Sequence, residues 1–366
     1  MSYMASKTRR ETTTAYSIAI NGAFRGQQVT GQQRYATEIA KALHDKSPER
    51  VREIVPSRMM SASSLRAWLW VQTLPFRLRP TEVLLTFTSR CPIWCPRHIS
   101  TVHDLFVVTH PEWYTRLYRV THRLSLWAQI RGSRLLLAVS EPVAADVRTY
   151  TRAQVVVAPN APAPQFAPLT SVELEQTLED HGLTYKGYLL SVASVDPRKN
   201  IAALVDAFLS LPLDVRESCP LVLAGGSNAS FAMVDIVQSP SVVRLGYVGD
   251  ELLAELYAGA RAVVLPSLDE GFGLPVVEAL SAGTDVLVSD TPVMRWVGGD
   301  SVIYIEGTPT SDNIAPALRQ LLRRVHPPRE EALGRAEAVA RRFAWPTSAD
   351  VVVGAVDRFP ATGGKA

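Results

Sequence analysis

Apolar positions along the chain fall into short runs rich in β-branched residues and leucine, and these alternate with longer stretches whose apolar residues recur at helical spacing. In the first half YSIAIN, EVLLTF, HISTVHD, RLLLAVS and QVVVAPN predict strands, and residues 31 to 44, 112 to 131 and 141 to 149 predict helices. In the second half YLLSVAS, LVLAGG, AVVLPS, DVLVSD and VIYIEG predict strands, with helices from about 200, at 250 to 260 and from 275. Such alternation marks parallel sheets with helices on both faces, so the fold class is α/β with two doubly wound, Rossmann-like domains. Pro159, Pro162, Pro164 and Pro168 interrupt every pattern between the halves. The expected division is a first domain over 1–160, a linker over 161–186, a second domain over 187–345 and a final segment over 346–366. The helix of that last segment, at about 346 to 359, is a candidate to cross back to the first domain.

Composition changes this picture little. A chain of 366 residues that is 47% hydrophobic and 20% charged has the make-up of a soluble protein with more than one core. No run of about 20 apolar residues stands in it, and its polar start lacks a leader-like apolar segment, so a cytoplasmic protein is expected. Cys91, Cys95 and Cys219 are too few for a disulfide framework. Cys91 and Cys95 with His98 and His103 suggest zinc only weakly, because the C-x2-C spacing is missing, and buried thiols are the better reading. A net charge of +3 demands no nucleic-acid partner. The charge is unevenly spread. Arg58, Arg66, Arg77 and Arg79 stand near Trp68 and Trp70, and Arg116, Arg119, Arg123, Arg131 and Arg134 near Trp113, Tyr114, Tyr118 and Trp127. A basic, aromatic face of this kind suits the headgroup zone of an anionic membrane, with core aromatics and solvated arginines as the alternative.

Four segments carry candidate chemistry. In LPSLDEGFGLPVVEALSAG, from 265 to 283, a strand runs into a loop ending at Glu270, Gly271 and Gly273 permit close backbone approach, and Pro275 opens a helix. The amides near Phe272, Gly273 and Leu274 then form an anion site, and Glu278, one turn on, reaches back toward the same ligand. Two acids beside a phosphate site suit the hydroxyls of a sugar or ribose, although an acid-decorated helix start fits the same residues. In SVASVDPRKNIAALVDAF, from 191 to 208, Arg198 and Lys199 open a helix whose dipole they oppose, which calls for a compensating anion such as a diphosphate. Two solvated surface charges are the alternative there. INGAFRGQQVTGQQRYATEIAKAL places Gly31 in a strand-loop-helix connection where backbone meets a ligand, or is an ordinary connection. STVHDLFVV ends a strand at His103 and Asp104, which points His103 into the same cleft unless it is merely structural. No D-x-D cluster for a divalent cation and no G-x-S-x-G elbow occurs.

Together these segments resemble the retaining GT-B glycosyltransferases of family four, in particular the branch that builds bacterial polysaccharide and O-antigen chains from mannose-like donors. EGFGLPVVE matches that family's E-x7-E motif, DPRKN stands on the first strand of the donor domain, and GYVGDELLAELYAGARAVVLPS is similar to the strand-helix-strand before the motif. The resemblance runs from Gly31 to the region of Phe343, Ala344 and Trp345. It implies that Arg198 and Lys199 neutralise the donor diphosphate and that Glu278 binds the ribose hydroxyls. Glu270 would contact the donor sugar, with Phe272, Gly273 and Leu274 supplying N–H groups, His103 beside the reacting carbon and Gly31 near the diphosphate. Many members carry an arginine five residues before the motif lysine; Ser194 stands there, and Arg198 substitutes. Asp285, where the family usually has proline, reads as a surface or loop variation.

The activity implied is transfer of a hexose, mannose from GDP-mannose, to a glycan that is lipid-linked, by an enzyme peripheral to the inner face of the cytoplasmic membrane. Neither metal nor cofactor beyond the donor is expected. A UDP- or dTDP-sugar donor, a nucleotide-sugar epimerase and an inactive sugar-nucleotide-binding protein are the other readings.

Overall fold

The first half of the chain folds as six strands, β1 (Ser17–Asn21), β2 (Val51–Ile54), β3 (Glu82–Thr86), β4 (His98–Val102), β5 (Leu135–Ala138) and β6 (Gln154–Val157). The second half supplies β7 (Leu189–Val192), β8 (Leu221–Ala224), β9 (Val242–Gly246), β10 (Ala262–Leu265), β11 (Asp285–Ser289) and β12 (Ile303–Ile305). The computed structural model describes residues 16–27, 30–61, 63–192, 196–226 and 237–359. The two sheets run in the orders β2-β1-β3-β4-β5-β6 and β12-β11-β10-β7-β8-β9, and their pairings are parallel. Every residue of β3, β4, β5 and β10 is buried, as parallel strands covered on both faces require. The strand order reverses between β1 and β3 in one sheet and between β7 and β10 in the other. Ligands of such sheets bind beyond the carboxyl ends of the strands flanking these reversals.

The doubly wound fold is the one the alternation predicts. Two strands, β2 and β9, escaped it for one reason. Each is an edge strand paired on a single side, and VREI and VVRLG carry charge at mid-strand, where the interior strands carry charge, if at all, only at their first residue (Glu82, Asp285). The helix expected over 112 to 131 is broken: Pro111–Trp113 forms a short 3-10 turn, Tyr114 and Thr115 are extended, and the helix proper spans Arg116–Gly132. Within 161–186, Thr170 and Glu173 form a capping box for the helix Ser171–Asp180, whose buried Leu174 and Leu178 pack beside the helix Asp250–Gly259. The last helix, Trp345–Asp357, packs along Gly31–Lys46 of the first domain. Ser348 Oγ donates to the Pro159 carbonyl at 2.8 Å, and Arg50 pairs with Asp357 at 2.6 Å.

Two expectations need correction. Asp285 is not a loop or surface variation; it begins β11, is half-buried, and pairs with Arg335 at 2.8 Å. The aromatics assigned to a basic outer face mostly lie elsewhere: Trp70 and Trp113 are core residues, Trp127 packs on Tyr150 and Arg131, and Tyr114 and Tyr118 line the cleft. Only Trp68 of that set is exposed. Aromatic residues next to arginine look alike in sequence whether the ring faces the core or the solvent, because helical phase over short, broken stretches is poorly defined. Cys91, Cys95 and Cys219 are buried free thiols, and His98 is occupied with Thr86 Oγ1 at 3.0 Å, so the zinc reading has no support here.

Candidate active site

A cleft of about 960 Å³ separates the carboxyl ends of the two sheets. Gly31, His103, Arg198, Lys199, Glu270, Phe272, Gly273, Leu274 and Glu278 all line it. Ser194, the tenth residue singled out from sequence, lies outside the described residues.

The second domain supplies the charged wall. After β7 the chain turns through Asp196 into the 3-10 turn Pro197–Lys199, and Asn200 takes the left-handed conformation (φ 57°) before the helix Ile201–Leu209. Asparagine tolerates that conformation, and its side chain fixes the turn by donating to the carbonyls of Pro266 at 3.2 Å and Pro309 at 2.6 Å. The Leu268 N–H donates to the Arg198 carbonyl at 2.8 Å, so the loops after β7 and β10 are stitched together. Lys199 Nζ thereby reaches Glu270 Oε1 at 2.5 Å, and Ser267 Oγ donates to the same oxygen at 2.9 Å. Arg198 stands 3.9 Å from Glu270 and 3.7 Å from Asp196. Burial pushes the Glu270 carboxyl upward, but Lys199 and Arg198 outweigh it and hold the group below its ordinary range. Burial likewise opposes the charge on Arg198, and Glu270 and Asp196 more than restore it. The anion that the two cations call for is thus supplied within the protein by Glu270 and Asp196. Arg198 Nε is buried and donates no hydrogen bond among the described residues.

Past Glu270 the backbone does the positioning. Gly271 packs so closely on the first domain that a Cβ there would stand 2.1 Å from the His103 carbonyl oxygen, and its own carbonyl accepts from Ser140 Oγ at 2.7 Å. The Phe272 ring is anchored against Trp296 and Phe343, and Gly273 (φ 81°) caps the helix Leu274–Ser281 with Pro275 in its first turn. Pro275 has no N–H and the Val276 amide donates to the Gly273 carbonyl at 2.9 Å, so the donors left facing the cleft at this helix start are the amides of Phe272, Gly273 and Leu274. Glu278, on the buried face, accepts from the Tyr257 hydroxyl at 3.0 Å. Burial raises its carboxyl to about 7, against the pull of Arg34 and Tyr257.

From the first domain, His103 directly follows β4, with Nε2 2.7 Å from the Phe87 carbonyl. A carbonyl only accepts, so Nε2 carries the proton. Burial lowers the imidazole's pKa although the Phe87 carbonyl and Asp104 favour the cation, which leaves a neutral ring with Nδ1 as an acceptor. Gly31 starts its helix at the cleft edge, where an added Cβ meets nothing within 4 Å, so space remains for a ligand.

Sequence reasoning missed Arg34, Asp250, Tyr257, Ser267 and Ser140. Arg34 was within reach: like Arg198 and Lys199, it is a cation near a helix start and opposes the dipole.

The signature of the family described as "Glycosyl transferases group 1" matches residues 176–337. O-antigen chain mannosyltransferase B of Escherichia coli is 31% identical over 257 residues, which cover 68% of this chain and 67% of that one. The serotype-specific mannosyltransferase WbdA of Escherichia coli is 29% identical over 56% of this chain, and the match spans only 27% of that longer protein. Among solved structures, Anabaena HepE in complex with UDP-glucose superposes with a TM-score of 0.69 at 15% identity, covering 94% of this chain and all of that one, 100%. Sheet orders, interdomain cleft and these likenesses agree on a GT-B enzyme: the chain belongs to the group 1 glycosyltransferases.

Proposed function

We propose that this glycosyltransferase moves mannose from GDP-mannose to a glycan with retention of the anomeric configuration and without a metal ion, in bacterial O-antigen or polysaccharide synthesis. The observation that carries the reading is the Arg198, Lys199 and Glu270 cluster at the strand-order reversal, facing His103 across the cleft. The mannosyl and O-antigen assignment draws on the relatives' names, and a nucleotide-sugar donor on the UDP-glucose in HepE.

Breaking the bond between C1 and the donor phosphate oxygen leaves negative charge on the diphosphate. A diphosphate carries more charge than one carboxylate, so on binding it draws Lys199 and Arg198 toward itself, and the helix amides after Gly273 add donors where that charge grows. Glu270, released from Lys199, then accepts from the sugar hydroxyls. The new bond forms between C1 and the acceptor oxygen on the face the diphosphate leaves, and the acceptor proton passes to a donor phosphate oxygen. No protein nucleophile takes part. His103, neutral, accepts a sugar hydroxyl rather than a proton.

An anionic membrane is proposed as the place of the acceptor, which is then lipid-linked. No helix among the described residues is long and apolar enough to cross a bilayer. In the arginine-rich segments of the first domain, however, Leu65, Leu69, Phe76, Leu117 and Leu124 are exposed. Apolar side chains among arginines suit an interfacial site.

Transfer from labelled GDP-mannose, UDP-glucose and a dTDP-sugar, with and without chelator, tests the donor and metal claims. GDP-mannose should be the preferred donor and chelator should change little. Lys199→Ala should lower turnover at least about tenfold, since a charged hydrogen bond is worth about 1.5–3 kcal/mol. Preference for another base, or abolition by chelator, removes the corresponding claim.

A further inference from the structure

Arg34 stands on the helix Gly31–Lys46 of the first domain, yet its guanidinium ends in the second. Nη2 pairs with Asp250 at the start of the helix Asp250–Gly259, and Nη1 lies 3.4 Å from Glu278 Oε1. The guanidinium also lies 5.6 Å from the Phe166 ring, which meets Tyr257 edge-on. Glu278 is enclosed by these groups. Tyr257 donates to Oε2, Arg34 faces Oε1, and Oε1 is buried while accepting no hydrogen bond among the described residues. A buried carboxylate oxygen with open lone pairs at the wall of a cleft is a place for a ligand hydroxyl. The charged and titratable groups acting on it are Arg34 from one domain and Tyr257 and Asp250 from the other.

We propose that Arg34 is a positioning residue for donor binding: from the first domain it keeps Glu278 ionised and in place to accept the donor's ribose hydroxyls. This rests on the reading of Glu278 as the ribose-binding carboxylate. Burial drives that carboxyl toward its neutral form, and it sits at about 7 with Arg34 and Tyr257 opposing the drift. Removing the guanidinium takes away the one cation acting on Glu278 among the described residues and leaves Asp250 to repel the carboxylate. A neutral acid has a proton on one oxygen and loses acceptor capacity there. The donor subsite is then built by both domains, since the carboxylate comes from one and the charge that sustains it from the other.

Calorimetry of the full chain with GDP across neutral pH tests this, or with UDP should that be the tighter ligand. Because the acid must be ionised to accept, wild-type affinity should fall as pH drops through about 7. Arg34→Met should bind at least about tenfold more weakly at neutral pH. Raising the pH should recover the loss, and Arg34→Lys should restore much of it. The 2′,3′-dideoxy nucleotide, which lacks both hydroxyls, should bind wild type and Arg34→Met alike. Unchanged affinity in Arg34→Met, or an equal loss for the dideoxy ligand, overturns the proposal. Arg34→Gln serves the same comparison should the methionine variant not fold. Glu278→Gln separates the two claims. If it binds like wild type, the ribose reading fails and the proposal with it; if it is impaired while Arg34→Met is not, only the role of Arg34 falls.

Discussion

Replacing Gly271 by alanine puts a methyl group where the two domains meet. The added Cβ would stand 2.1 Å from the His103 carbonyl oxygen and 3.1 Å from the carbonyl carbon, both backbone atoms, with Asp104 Cβ at 3.5 Å. Carbon and carbonyl oxygen rest at roughly 3.3 Å, so strand end and loop must part by about 1 Å. Neither side gives way cheaply. His103 directly follows the interior strand β4 and its ring is tied to the Phe87 carbonyl at 2.7 Å, while the Gly271 carbonyl holds Ser140 Oγ at 2.7 Å. The neighbours that would move are Glu270 and Phe272, one paired with Lys199 and the other locked between Trp296 and Phe343. A misplacement of about 1 Å between reacting groups costs about 10²-fold in rate, or about 2.7 kcal/mol of barrier. Strain of this kind also costs about 1–3 kcal/mol of stability. Nucleotide release at saturating donor and acceptor reads the first quantity, and thermal melting the second. Gly334→Ala is the control: it lies within the helix Arg329–Arg342, an added Cβ meets nothing within 4 Å, and it should melt slightly higher. Native turnover in Gly271→Ala would refute the claim that this close approach sets the catalytic geometry.

Two further predictions concern the regions the sequence misassigned. Asp285→Ala should lower stability by about 1–3 kcal/mol, because it strips the partner from a mostly buried Arg335, while turnover holds since the pair lies at the opposite end of β11 from the cleft. An unchanged melting temperature would return Asp285 to the status of a surface variation. Vesicles containing anionic lipid should sediment the protein at low salt, less so as salt rises, and less in the triple variant Arg116→Glu, Arg119→Glu, Arg123→Glu. No binding at low salt would make a soluble acceptor the better account.

What the sequence disclosed and what it hid follow from how far each feature depends on distant chain. Strands β3 and β10 are interior, so unbroken apolar runs announced them, whereas β2 and β9, paired on one side, tolerate charge and lost the signal. The loop from Glu270 to Pro275 was legible for a local reason as well: glycine at a left-handed position and proline in a helix's first turn are demands of backbone geometry that short sequence records. Partnership is different. That Arg198 and Lys199 require an anion could be read from their place at a helix start, but whether the anion is a ligand or a carboxylate of the protein depends on a loop some seventy residues away, |i−j|=71 for Lys199 and Glu270. The structure answers with Asp196 and Glu270, and the answer bears on the chemistry. Cations already paired to a carboxylate are held in position before the donor arrives, so less ordering remains to be done when it binds. On the proposed mechanism the exchange of partners would also leave Glu270 unpaired as sugar hydroxyls reach it. A surface lysine would have to be both found and fixed by the ligand; here the enzyme's own acid does the fixing, and on the proposed mechanism the same acid would then be free to hold the sugar.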